Sequence, residues 1–308
     1  MSRLQLNGDI PKEKLIIDHS DLGIEASMTV MMAFQSPELE IVGITTVFGN
    51  SYTQAATRNA LLLCEMAGYP NVPVAEGGTE SLKVYEPNNA FHPPLKGKEI
   101  QKTAPEFLVE IVSQNPSCIS ILALGPLTNL ALAIKRDSSF ASKVRKIVIP
   151  GGSFFAPGNV NPAAETNIYR DPEAADIVFT CGAEIIVVGL NITSQIKLLD
   201  SEHQWLRSSK ASNAQFYRDW HAKSDGGILL LQELVGFTAL IRPDLFTLKK
   251  SVVRVETQGI CAGHTLIDTK FQKWVSNNPW TDYSPISVVS TINAVGVLEF
   301  IKERLMKQ

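Results

Sequence analysis

The sequence predicts an α/β fold: a single doubly wound, mostly parallel sheet with helices on both faces and a helical C-terminal part over the pocket. Three observations carry this expectation. Short apolar runs alternate with segments of helical spacing along nearly all of the 308 residues. The runs are continuous rather than alternating, which suits parallel strands covered on both faces. No repeat, linker or low-complexity tract interrupts the alternation, so residues 1–308 are expected to form one domain.

The first unit is residues 14–50, KLIIDHSDLGIEASMTVMMAFQSPELEIVGITTVFGN. Lys14–Asp18 and Ile41–Val47 read as buried strands, and Ile24–Phe34 has the length and apolar spacing of a helix packed between them. Tyr52–Gly68 follows as a helix with a glycine stop, then Val72–Glu76 as a strand. Residues 78–100 are rich in Pro, Asn and Gly and read as a surface loop. Ala104–Gln114 is a helix, and Ile119–Leu124 a strand running into the turn and helix start GPLTN. Val144–Ile149 is a strand ending at Pro150-Gly151-Gly152, followed by a long polar loop and a helix over Pro172–Cys181. Glu184–Asn191 is a strand, and residues 198–232 read as largely helical, with aromatic bulk from Trp205, Phe216, Tyr217 and Trp220. One further strand, Val252–Thr257, and a terminal helix, Thr291–Met306, complete the chain.

Composition narrows the function classes. A net charge of −3 and no Lys/Arg cluster argue against a nucleic-acid or anionic-membrane partner. The first fourteen residues, MSRLQLNGDIPKEK, lack the apolar core of a signal peptide, and no apolar run is long enough to span a bilayer. Cys64, Cys118, Cys181 and Cys261 are widely spaced and read as buried thiols, not a zinc site or a disulfide framework. The expected setting is cytoplasmic, and the expected ligand a small molecule.

The βαβ unit puts Asp18, His19, Ser20, Asp21 and Glu25 at the end of its first strand and Asn50 at the end of its second. Open α/β sheets bind ligands at those ends. Acids just before a helix also serve as caps and first-turn partners of its dipole, and spacing alone leaves both readings open. His19, between two aspartates, suits acid–base chemistry or a hydrogen-bonded place in the turn.

Ile44–Asn50, ITTVFGN, with the acidic turn before it, resembles the inosine–uridine nucleoside hydrolase family, most closely its plant members. The family motif is Asp-Thr-Asp-Pro-Gly-Ile-Asp-Asp, a helix, then Ile-Thr-Thr-Val-x-Gly-Asn, and the likeness extends over nearly the full chain. It implies a mostly parallel α/β sheet and hydrolysis of a ribonucleoside N-glycosidic bond through an oxocarbenium-like transition state. It also implies a bound calcium that holds ribose hydroxyls and a water, and a carboxylate that takes the water's proton. On this resemblance Asn50, Asn161, Glu165 and Asn167 bind ribose, and Leu124 offers its carbonyl to the metal. The alternative is that these Asn residues only shape loops.

Three places depart from the family pattern. Aligned from the helix, DLGIEAS makes Asp21 the water-activating, metal-binding aspartate and Glu25 a ribose ligand, with Ala26 where a metal ligand belongs. Aligned from the strand, Asp18 is retained and Ser20 replaces the base. At Leu231–Phe237, LQELVGF, Gln232 and Glu233 stand where plant relatives have His and Asp, and glutamine cannot donate a proton as an imidazolium does. The loop at 78–93 is short, with Tyr85 and His92 its catalytic-type side chains. The resulting expectation is that calcium-dependent hydrolysis is lost or weak and that the pocket serves metal-free acid–base chemistry through Asp21 and His19. Substrate binding then falls to Glu25, Asn50, Asn161, Glu165, Asn167 and Gln232. No cofactor is expected, unless Asp18, Asp21, Leu124 and Glu233 rebuild a calcium site. Two alternatives stand beside it: an active uridine or inosine hydrolase, and a non-catalytic partner subunit of an active paralogue. The family's plant members suggest a homodimer, or a heterodimer with such a paralogue.

Overall fold

A computed structural model describes residues 11–20, 23–49, 52–82, 100–198, 229–268, 270 and 278–306. Strands β1 (Glu13–His19), β2 (Leu39–Thr46), β3 (Val74–Glu76), β4 (Ile119–Leu124), β5 (Lys146–Pro150) and β6 (Ile185–Val188) pair in parallel. Helices α1 (Ile24–Phe34), α2 (Thr53–Met66), α3 (Ala104–Gln114), α4 (Thr128–Arg136), α5 (Phe140–Lys143), α6 (Thr166–Arg170) and α7 (Pro172–Thr180) lie between them in the chain. A short helix α8 (Leu190–Thr193), a two-stranded ribbon of β7 (Lys197–Leu198) and β8 (Leu229–Leu230), and helix α9 (Gln232–Ile241) follow. Strands β9 (Phe246–Val255), β10 (Thr265–Asp268) and β11 (Ile286–Ile292) and helix α10 (Ala294–Leu305) end the chain.

The nine-stranded sheet runs β10-β9-β11-β6-β5-β4-β1-β2-β3. Apolar residues on both sides of each central strand force helices onto both faces. Leu15 and Ile17 join the core under α1, α9 and α10, while Ile16 joins the core under α3, α4 and α7. Chain order reverses between β1 and β4, with β2 on one side of β1 and β4 on the other. A crevice opens at such a reversal, outside the strands' carboxyl ends. Asp18 lies opposite Thr45 and Ala123 there, and His19 opposite Thr46 and Leu124.

The C-terminal part differs from its expected helical character. Beyond α9 it supplies three strands, and β9 runs antiparallel to both β10 and β11. The first half of β9, FTLKK, is mostly exposed and polar, which hides it from an apolar-run search. Most of the 198–232 segment, with its aromatic residues, lies outside the described residues, as do Tyr85 and His92. Of the cysteines, Cys64 is buried, whereas Cys118, in a turn, and Cys261, at the end of the short 3-10 helix Gly259–Cys261, are exposed. Among the described residues no helix is long and apolar enough to cross a membrane.

Candidate active site

Asp18 is completely buried at the end of β1. Its Oδ1 accepts hydrogen bonds from Thr45 Oγ1 at 2.7 Å and Asn129 Nδ2 at 2.8 Å. Its Oδ2 is buried without a hydrogen-bond partner among the described residues. Burial pushes the carboxyl up to about 6, against the two donors that favour its charged form. Asn129, also fully buried in the first turn of α4, donates again to the Thr46 carbonyl at 2.8 Å and accepts from Gly78 N–H at 3.1 Å. One amide thus fastens the ends of β1 and β2 to the chain leaving β3. Two glycines permit this: a Cβ at Gly77 would lie 2.2 Å from Asn129 Oδ1, and one at Gly125 would lie 2.8 Å from Ser20 Cβ.

A second carboxyl cluster lies beyond β5. Glu165, buried at the N-cap of α6, accepts through Oε2 from the main-chain N–H groups of Asn167, Ile168 and Gly152, at 3.1, 3.2 and 3.4 Å. Its Oε1 accepts from Gln232 Nε2 at 3.0 Å, and that amide also donates to the Pro150 carbonyl at 3.3 Å. Burial pushes the Glu165 carboxyl upward, and these donors pull it back. Gln232 reaches this point because α9 packs tightly on β5: a Cβ at Gly236 would lie 2.6 Å from Pro150 Cβ. Also at the start of α9, Glu25 accepts from the main-chain N–H groups of Glu233 and Gln232, while burial pushes its carboxyl up to about 8. Asp171 ties the loop before residue 83 to α4 and α7, accepting from Thr128 Oγ1 at 2.6 Å, Leu82 N–H at 3.0 Å and Ala174 N–H at 3.1 Å. Beside Gln232 a small cleft is walled by Ala156–Asn159, Leu190, Thr193 and Ser194.

A family model described as inosine-uridine preferring nucleoside hydrolase matches residues 15–299. The chain belongs to that family. It is 59% identical to Uridine nucleosidase 1 of Arabidopsis thaliana, over 98% of this chain and 96% of that protein. It is 58% identical to Probable uridine nucleosidase 1 of Oryza sativa subsp. japonica, over 97% and 98%. Among solved structures, a plant nucleoside hydrolase, the PpNRh1 enzyme, superposes with a TM-score of 0.88 at 39% identity, covering 97% of this chain and all of that one.

These relatives overturn the expectation of a lost hydrolysis and a pocket repurposed for metal-free chemistry. Relatives sharing more than half of all positions over almost the whole chain carry the name uridine nucleosidase. The substitutions weighed in the sequence fall in a few positions, whereas Asp18 and Glu165 each accept a set of hydrogen bonds from their own neighbours.

In this nucleoside hydrolase fold the expected site residues fall into three groups. Asp18, Leu124 and His19 meet at the ends of β1 and β4, with the His19 side chain completely buried, which favours its reading as a strand-end residue. Glu165, Gln232, Glu233 and Glu25 gather around the start of α9, and Asn167 lies in the first turn of α6. Asn161 accepts from Ala163 and Ala164 N–H at 2.8 and 2.9 Å and shapes its own loop. Asp21 and Asn50 lie outside the described residues. Two site-shaping residues escape sequence reading. Asn129 looks like an ordinary helix-start residue in GPLTN, and Asn159, which lines the cleft, looks like its loop neighbour Asn161.

The resemblance's calcium can be tested against the donor set. A hard cation takes oxygen ligands. The unpartnered, buried Oδ2 of Asp18 and the neighbouring strand end at Leu124 fit in kind. Among the described residues no group of three or more His, Cys, Asp or Glu is placed so that it could hold a metal ion by itself.

Proposed function

We propose that this protein hydrolyses the N-glycosidic bond of uridine, releasing uracil and free ribose. The observation that carries the reading is 59% identity, along 98% of the chain, with a protein named uridine nucleosidase. The buried carboxyl of Asp18 at the crevice between β1 and β4 supports it. In the reaction the bond from ribose C1′ to the base breaks, with its electron pair leaving on the base. Water oxygen bonds to C1′, its proton passes to Asp21, and the base takes up a proton from solvent. Positive charge develops on the sugar, and carboxylates around it stabilise that charge. Glu165, held rigid by four donors, and Asn167 orient the ribose. Gln232 acts through Glu165, whose Oε1 it fixes. Asn50 and Glu25 add ribose contacts, with Glu25 also anchoring α9.

Calcium belongs to this proposal: Asp18, Asp21, Glu233 and the Leu124 carbonyl would hold it. When bound, such an ion lowers the pKa of a ligated water and fixes vicinal hydroxyls. A cytosolic location and assembly as a homodimer are further parts of the proposal. Product analysis tests its core. Uridine should yield equimolar uracil and reducing ribose, with or without phosphate. Ribose 1-phosphate, or no uracil at all, would count against hydrolysis.

A further inference from the structure

We propose that Phe155 is a substrate-binding residue that stacks on the nucleobase of the substrate. This rests on the hydrolase reading above and adds a residue that the resemblance does not supply. Two adjacent phenylalanines follow β5 and point apart. Phe154 is 1% exposed, and its ring packs against Gly152 and Gly189. Phe155 is 86% exposed. Its φ of 51° lies in the left-handed region, which a bulky L-residue seldom occupies and glycine enters freely. The position therefore combines a disfavoured backbone with an apolar ring left in water.

The chain on both sides enforces that conformation. Upstream, Gly152 donates from its N–H to Glu165, and its carbonyl accepts from Leu190 N–H at 2.9 Å. Ser153 donates from N–H to Thr265 Oγ1 at 2.9 Å and from Oγ to the Ala163 carbonyl at 2.8 Å. Downstream, Gly158 and Asn159 N–H donate to the Pro162 and Ala164 carbonyls at 3.2 and 3.1 Å. Strain held by its surroundings marks functional positions, and the reasoning runs from the outlier to the role.

The location identifies the ligand. Residues 156–159, immediately after Phe155, form one wall of the cleft that Gln232 closes. That cleft measures about 210 Å³. Ligand sites ordinarily enclose roughly 300–1,000 Å³, so a nucleoside with its ribose near Glu165 extends past the lip. Phe155 directly precedes the wall residue Ala156 in the chain, with its ring in solvent. A flat heteroaromatic base is the part of a nucleoside that an exposed ring can cover, and stacking of this kind tolerates any base.

Steady-state kinetics on uridine, with melting temperatures, test the idea in Phe155→Ala, Phe155→Gly and Phe155→Trp. The expected result is a KM raised about tenfold in the Ala and Gly variants, equal to 1.4 kcal/mol of binding. Their kcat should stay within about twofold, and Trp should restore KM. Phe155→Gly should melt no lower than wild type, because glycine accepts the backbone. An active wild type with unchanged KM in Ala and Gly overturns the stacking role alone. A Gly variant that loses kcat and melts lower makes Phe155 structural and also overturns it. A wild type that releases no ribose overturns the hydrolase reading, and the stacking role falls with it.

Discussion

Asn129→Leu removes the amide that joins three strand ends while keeping its branched heavy-atom outline. Three hydrogen bonds vanish: to Asp18 Oδ1 and the Thr46 carbonyl at 2.8 Å each, and from Gly78 N–H at 3.1 Å. A bond to a carboxylate contributes about 1.5–3 kcal/mol, and each buried main-chain group left unsatisfied costs about 1–3 kcal/mol. Leucine recovers roughly 1 kcal/mol through its added apolar surface. The net expectation is a loss of about 2.5–8 kcal/mol, against a typical total of about 5–15 kcal/mol. Urea unfolding measures it as a lower midpoint at unchanged slope. Thr45→Val, which removes the other donor to Asp18 Oδ1 at 2.7 Å, should cost about 1–2 kcal/mol. The double variant should depart from additivity by more than about 0.5 kcal/mol, since both residues act on one oxygen. A loss below about 1 kcal/mol for Asn129→Leu, or strict additivity, would refute the clamp.

Asp18 should leave a signature in the pH dependence of stability. Its carboxyl moves from 3.8 to about 6 on folding, so the folded state holds the proton more tightly. The resulting stabilisation is present below pH 4 and is lost as pH rises through 6, a fall of about 3 kcal/mol. Asp18→Asn should flatten that segment of the pH–stability curve; an unchanged slope would show that Asp18 does not titrate there. Gly236→Ala should push α9 off Pro150, where the new Cβ would lie 2.6 Å from a ring carbon. The expected cost is about 1–3 kcal/mol, with a raised KM for uridine because Gln232 loses its hold on Glu165. Normal stability and KM would mean the helix–strand contact yields freely.

The fold was legible in the sequence wherever one local signal dominated. The apolar runs of β1, β2 and β4 and the spacing of α1 and α3 match the observed elements, because a strand buried on both faces has little choice of residue. Strand β10 was not legible, since an antiparallel edge strand with exposed positions reads as an ordinary polar segment, and β11 was missed because its buried stretch, ISVV, is short and broken by a serine. In the site, the carboxyls at the end of β1 followed from the βαβ pattern. Glu25's link to the start of α9 did not, because it joins residues more than 200 positions apart. The same limit explains Asn129, whose partners come from β1, β2 and the chain after β3. The misjudged function has a related cause. Replacing His by Gln at position 232 removes a proton donor on paper, yet the amide forms two hydrogen bonds that fix Glu165 and β5.

The most direct test of the central claim is ribose release from uridine by the purified chain, measured with added calcium and with a chelator. Ribose and uracil forming together, and falling sharply on chelation, is the predicted result. No release with calcium present would contradict the account, and equal release under both conditions would remove calcium from it.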